Sequence, residues 1–210
     1  MATGATIHTF AVQLADMDRG VYEDLTLRVA RHPSETDAFM LTRVLAYCLQ
    51  FQEGIAFSDG ISATDEPAVY VRDLSGKLIA WIEVGAPDAT RLHYGSMQAE
   101  RTVVYTHRDP AKVAAAWAGK RIHRADELTL FSFDPGFLDA ATALLERRNS
   151  IALSITEHRM YLEINGTMLE SVVHEYPVAS RRCEMGVRSS EHSGRKAGCS
   201  RCSRSPISCG

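Results

Sequence analysis

LIAWIEVGAPDATRLHYGSMQ, from Leu78 to Gln98, is the stretch that decides the fold. Its first seven residues are almost continuously apolar, the pattern of a strand covered on both faces. Alternation places Ile79, Trp81 and Glu83 on one face. Glu83 interrupts the run near its end, where a carboxylate without a partner is costly to bury. Gly85 and Pro87 end the strand. Asp88 then caps a helix predicted to run to about Glu100. An acid thus stands at the tip of a central strand, beside a helix start.

Just upstream, Asp65-Glu66-Pro67 opens a strand over Ala68–Arg72, and Asp73-Leu74-Ser75-Gly76 turns the chain into the central strand. Counted outward from that turn, Glu66 and Glu83 are equally distant, so an antiparallel pair brings the acids to one end of the hairpin. Carboxylates gathered in this way suit a hard cation such as Mg²⁺, which can activate water and clamp a phosphate. The competing expectation is that Asp65 and Glu66 are ordinary solvated strand-end charges. Downstream, short strands are expected at Val103–Thr106 and Leu128–Phe133, with helices over Asp109–Trp117, opened by Asp-Pro, and Pro135–Arg147.

The flanks read as hairpins. Phe10, Val12 and Leu14 alternate, as do Leu25, Leu27 and Val29, with Asp16–Gly20 between them. Ile151, Leu153 and Ile155 alternate, then Met160, Leu162 and Ile164, followed by Asn165-Gly166, the strongest hairpin signal in the chain, and a strand over Thr167–Val173. Leu41, Val44, Leu45, Cys48 and Leu49 recur at helical spacing, so a helix runs to about Phe51. Its start is either a capping box on Ser34 and Asp37 or Pro33 as the first helical residue. Glu35 there is favoured by the helix dipole. A short strand at Ile55–Phe57 is a further expectation. The order ββαββαβαβαβββ predicts an α/β fold: a mixed parallel and antiparallel sheet with flanking helices.

With 210 residues and 45% hydrophobic content, the chain can bury a substantial core. One domain over residues 1–177 is expected, followed by a basic tail at 178–210 read as disordered. That tail holds Arg181, Arg182, Arg188, Arg195, Lys196, Arg201 and Arg204 against Glu184 and Glu191, and four of the five cysteines: Cys183, Cys199, Cys202 and Cys209. Cys199-x-x-Cys202 is one clean pair where a zinc knuckle has two. Since the whole chain is net −3, the remainder is acidic, which argues against broad, unassisted nucleic-acid binding. No apolar run approaches the length of a membrane span, and the first residues lack a basic start and an apolar core. A soluble cytoplasmic protein with no membrane association is the expectation.

The runs Ala5-Thr6-Ile7, Ala15-Asp16-Met17-Asp18-Arg19, Ala30–Thr36, Asp65-Glu66-Pro67 and Trp81-Ile82-Glu83-x-Gly85-x-Pro87-Asp88, with Arg91 and Gln98 after them, resemble the YaeQ family over about 1–177. The resemblance implies a compact variant of the PD-(D/E)XK nuclease fold and magnesium-dependent phosphodiester cleavage. It implies that Glu35 is the acid of the first helix. Asp65 or Glu66 would be the first metal-binding acid, and Glu83 the second. Two departures follow: Gly85 stands where the superfamily has lysine, and Ala68 where it has aspartate. Lys77 is too far along the strand to substitute; Arg91, or His93, is within reach of the tip. Ser34 reads as a cap, and Gln98 as a solvated helix face. The implied function is that of a Mg²⁺-dependent nuclease-like protein, with Glu35, Glu66, Glu83 and Arg91 at its centre. The alternative is a non-catalytic binding or interaction module on a degenerate nuclease fold.

Overall fold

The structure, a computed structural model, describes residues 5–58 and 66–178. Fifteen elements follow one another: β1 (Thr6–Asp16), β2 (Val21–Arg31), α1 (Asp37–Leu49), β3 (Ile55–Phe57), β4 (Val69–Arg72), β5 (Leu78–Val84), α2 (Ala89–Gln98), β6 (Arg101–Thr106), α3 (Pro110–Trp117), β7 (Thr129–Ser132), α4 (Phe137–Thr142), β8 (Arg148–Thr156), β9 (Arg159–Ile164), β10 (Thr167–Val172) and β11 (His174–Tyr176). The class is mixed α/β, as expected, but the strands divide between two sheets rather than one. A five-stranded sheet has the order β10-β9-β8-β1-β2 and a six-stranded sheet the order β11-β7-β6-β5-β4-β3.

The second sheet follows from the central stretch. β4 and β5 are antiparallel across the turn at Asp73–Gly76, while β5–β6 and β6–β7 are parallel, each joined through a helix. Both faces of β5 are covered. Ala80, Ile82 and Val84 join the main core with α1 and the five-stranded sheet. On the opposite face Trp81 meets Tyr94 of α2 edge-on, with ring centroids 5.7 Å apart. A smaller core of Leu92, Val104, Val113, Trp117, Leu128 and Leu130 continues beneath α2 and α3.

Several local expectations hold. Asp88 caps α2, accepting from the Arg91 amide at 2.8 Å, and Asp109 caps α3 with Pro110 as its first residue. Asn165 and Gly166 both adopt positive φ, as a tight hairpin requires. Others are corrected. The N-cap of α1 is Thr36, whose hydroxyl accepts from the Phe39 amide, not Ser34 or Pro33. The helix expected over Pro135–Arg147 stops at Thr142. Beyond it the Asn149 side chain bonds both the amide and the carbonyl of Glu146, and β8 begins at Arg148 because it pairs in parallel with β1. Strand β11, too short and polar to read from sequence, pairs antiparallel with β7. Among the described residues no helix is long and apolar enough to cross a membrane. Cys48 is buried, with its thiol pushed up to about 12 by burial. The tail cysteines and Asp65 lie outside the described residues.

Candidate functional site

The carboxyl ends of the parallel strands β5 and β6 open onto one cleft of about 300 Å³. Open α/β sheets bind ligands at this place, because the chain leaves adjacent strands there in loops and helix starts. The lining comes from Arg43 of α1, Glu66 ahead of β4, residues 83–87 after the tip of β5, Arg91 of α2, and His107 and Arg108 after β6.

Glu83 is 3% exposed. Strand alternation brings Trp81 to its side, and the indole Nε1 donates to Glu83 Oε1 at 2.6 Å. Arg91, one turn into α2, donates through Nε to the same oxygen at 2.7 Å. Its Nη2 donates to the Glu66 carbonyl. Thus one guanidinium ties β5, α2 and the segment before β4 together. Burial pushes the Glu83 carboxyl up to about 6, against the opposing pull of the Arg91 charge and the two hydrogen bonds.

That shift has a sign. The folded protein holds a proton on Glu83 up to about pH 6, whereas the unfolded chain releases it near the ordinary 4.5. Between these values the native state binds more protons, so stability falls as pH rises, and the penalty is complete above about 6. It amounts to about 2 kcal/mol. Unfolding free energies of wild type and Glu83→Gln, measured by urea denaturation from pH 4 to 7.5, are expected to diverge by about this amount, with the glutamine variant gaining at the higher pH. Parallel curves would show that the carboxyl titrates normally.

The other expected residues are distributed unevenly. Glu66 lines the cleft but lies outside the β4–β5 ladder, whose last pair is Val69 opposite Ile82. Glu35 is buried and approaches the cleft only through Arg43. Its Oε1 is 3.7 Å from Arg43 Nη1, and its Oε2 accepts from the His32 amide at 2.9 Å. Burial raises the Glu35 carboxyl, and burial lowers the Arg43 guanidinium. Ser34 is exposed, with its hydroxyl 2.6 Å from His32 Nδ1. Gln98, exposed at the last residue of α2, is not in the lining. Lys77 is paired with Glu100 on the surface.

Arg43, His107 and Arg108 went unread in the sequence as site residues. Arg43 hides in an apolar helix pattern, and the other two follow a strand whose register only the sheet reveals. Gly85 also gains a reason. Its φ is +86, which disfavours any side chain, and a Cβ there would lie 3.2 Å from His107 Cε1.

The described donors give magnesium little purchase. Glu66 and Glu83 are the only carboxylates in the described lining, and Glu83 Oε1 already takes two donors. No three His, Cys, Asp or Glu side chains among the described residues are grouped to hold a metal. Three arginines facing one cleft instead suit an anion.

The YaeQ protein family model matches residues 1–173. The chain belongs to the YaeQ family. It is 31% identical over 174 residues to the uncharacterized protein YaeQ of Escherichia coli K12, covering 81% of this chain and 94% of that one. Identity to the Salmonella typhi YaeQ is 30% over 165 residues, covering 77% and 90%. Among solved structures, YaeQ from Pseudomonas syringae superimposes with a TM-score of 0.73 at 30% identity, covering 82% of this chain and 96% of that one. YaeQ from Xanthomonas axonopodis pv. citri does so with 0.71 at 28%, covering 82% and 99%. The five motifs that suggested the YaeQ family all fall within the matched residues.

Proposed function

We propose that the cleft binds the phosphate of a nucleic-acid backbone, on a scaffold that is a compact variant of the PD-(D/E)XK nuclease fold. The observation that carries this reading is the convergence of Arg43, Arg91 and Arg108 at the carboxyl end of β5 and β6. Glu83 and the Glu66 carbonyl hold Arg91 in a fixed orientation, which lowers the entropy lost when the guanidinium engages a ligand. The acidic charge of the body confines such binding to this cleft rather than to a broad basic face.

Anisotropy of a labelled 12-nucleotide strand and of its duplex, at low salt, tests the reading. Arg91→Gln is expected to weaken binding about tenfold, the scale of a lost charge-assisted hydrogen bond. Equal affinity for the variant would remove Arg91 from the site, and no binding to either form would refute the reading.

A second reading, magnesium-dependent phosphodiester hydrolysis, is favoured by the presence of Glu66 and Glu83 beside those arginines. Calorimetric titration with Mg²⁺, repeated on Glu83→Gln, separates the two. Heat that disappears in the variant supports a cation at Glu83, and indistinguishable titrations support binding without it.

A further inference from the structure

Of the polar side chains that line the cleft, Ser58 and His107 are used by neither reading. His107, half-buried just past the end of β6, lines the cleft with its ring edge-on to Phe39 at 6.1 Å. Its Nδ1 is buried with no hydrogen-bond partner among the described residues. A protonated Nδ1 would be an unsatisfied buried donor, which is costly. An unpaired acceptor is better tolerated in the interior than an unpaired N–H, so a neutral ring carries its proton on Nε2, the ring nitrogen that is not buried without a partner. Burial and the nearby Arg108 lower the imidazole pKa, consistent with a neutral ring at physiological pH.

The position of the ring depends on Gly85. A Cβ at that residue would stand 3.2 Å from His107 Cε1 and 3.6 Å from two carbons of Phe39. The imidazole thus occupies the space into which a side chain at the tip of β5 would project, two residues beyond Glu83. The chain leaving β5 supplies no side-chain donor there, and the chain leaving its parallel neighbour β6 supplies one.

We propose that His107 is a ligand-contacting residue of this cleft, donating Nε2–H to a phosphate oxygen from the place that a side chain at position 85 would otherwise take. The assignment rests on the phosphate-binding reading above and adds a neutral donor to its arginines.

The test uses the full chain and a 5′-phosphorylated thymidine dinucleotide. Carbon–proton correlation spectra of the histidine rings, with His107 assigned by its loss in His107→Gln, are recorded through a titration. The expected result is a His107 Cε1–H signal that moves and saturates with the dissociation constant measured independently by competition anisotropy. His107→Gln is expected to weaken binding about fivefold, the size of one neutral hydrogen bond. If the dinucleotide binds in an Arg91-dependent way while the His107 signal stays still and His107→Gln binds as wild type, His107 is not a contact, and the arginine cleft stands without it. If the dinucleotide does not bind wild type at all, both fail together.

Discussion

Gly95→Val is expected to destabilise the protein by at least about 3 kcal/mol, the upper end of the usual cost of overpacking a core. Gly95 is the point where α2 lies against Trp81. A Cβ there would be 2.6 Å from the indole Cε2 and Nε1, closer than such atoms approach. The ring cannot simply swing aside, because Trp81 is 1% exposed and its Nε1 is bonded to Glu83. Helix α2 must lift instead, and it carries Arg91 with it. Loss of stability should therefore come with loss of anion binding. Gly95→Ala, which adds a single carbon and gains about 1 kcal/mol of helix propensity, should fall between wild type and valine. Urea denaturation measures all three. A valine variant as stable as wild type would mean that the helix and the indole are not in contact.

The second large effect is expected at Glu35. Arg43 is 3% exposed and has that carboxylate as its buried counter-charge, 3.7 Å away. Removing one partner of a buried ion pair costs about 3 to 5 kcal/mol, because the other charge is left without compensation. Glu35→Leu should lie near the lower bound, since Arg43 keeps its 2.8 Å hydrogen bond to the Ala30 carbonyl and its place over the Phe57 ring. Glu35→Leu with Arg43→Met should lose less than the sum of the two single changes. Strict additivity in that double-mutant cycle would show that the two charges do not interact. The cycle also has a functional reading. Because Arg43 lines the cleft while Glu35 stands behind it, Glu35 can influence what the cleft binds only by positioning Arg43.

Local chemistry was legible in the sequence where one short rule decides the outcome. Alternation along residues 78–84 put Trp81 and Glu83 on one face, where the indole is bonded to the carboxylate. Asp88 and Asp109 cap the helices they precede, and Asn165-Gly166 makes the hairpin. Arg91 was placed within reach of the strand tip because both flank a short turn. Legibility ended where distant segments compete. The apolar residues of 137–145 carry a helical pattern, yet Asn149 and the pairing of β8 with β1 end α4 early. Thr36 displaced Ser34 as the cap because the chain between them makes a turn of its own, with the Glu35 amide donating to the His32 carbonyl. His107 and Arg108 stand beside Glu83 only because β6 lies parallel to β5, and that register is a property of the assembled sheet.

The parallel pairing of β1 with β8 sets the timetable of biosynthesis. Thr9 waits for Arg148, and Asp16 for Ile155. The first hairpin therefore leaves the ribosome with its β1 edge bare, and that edge stays open to strands of other nascent chains until most of the protein has been translated. In the six-stranded sheet β3 to β7 are made in succession and only the short β11 arrives later, whereas the five-stranded sheet cannot join its two halves until β8 has emerged.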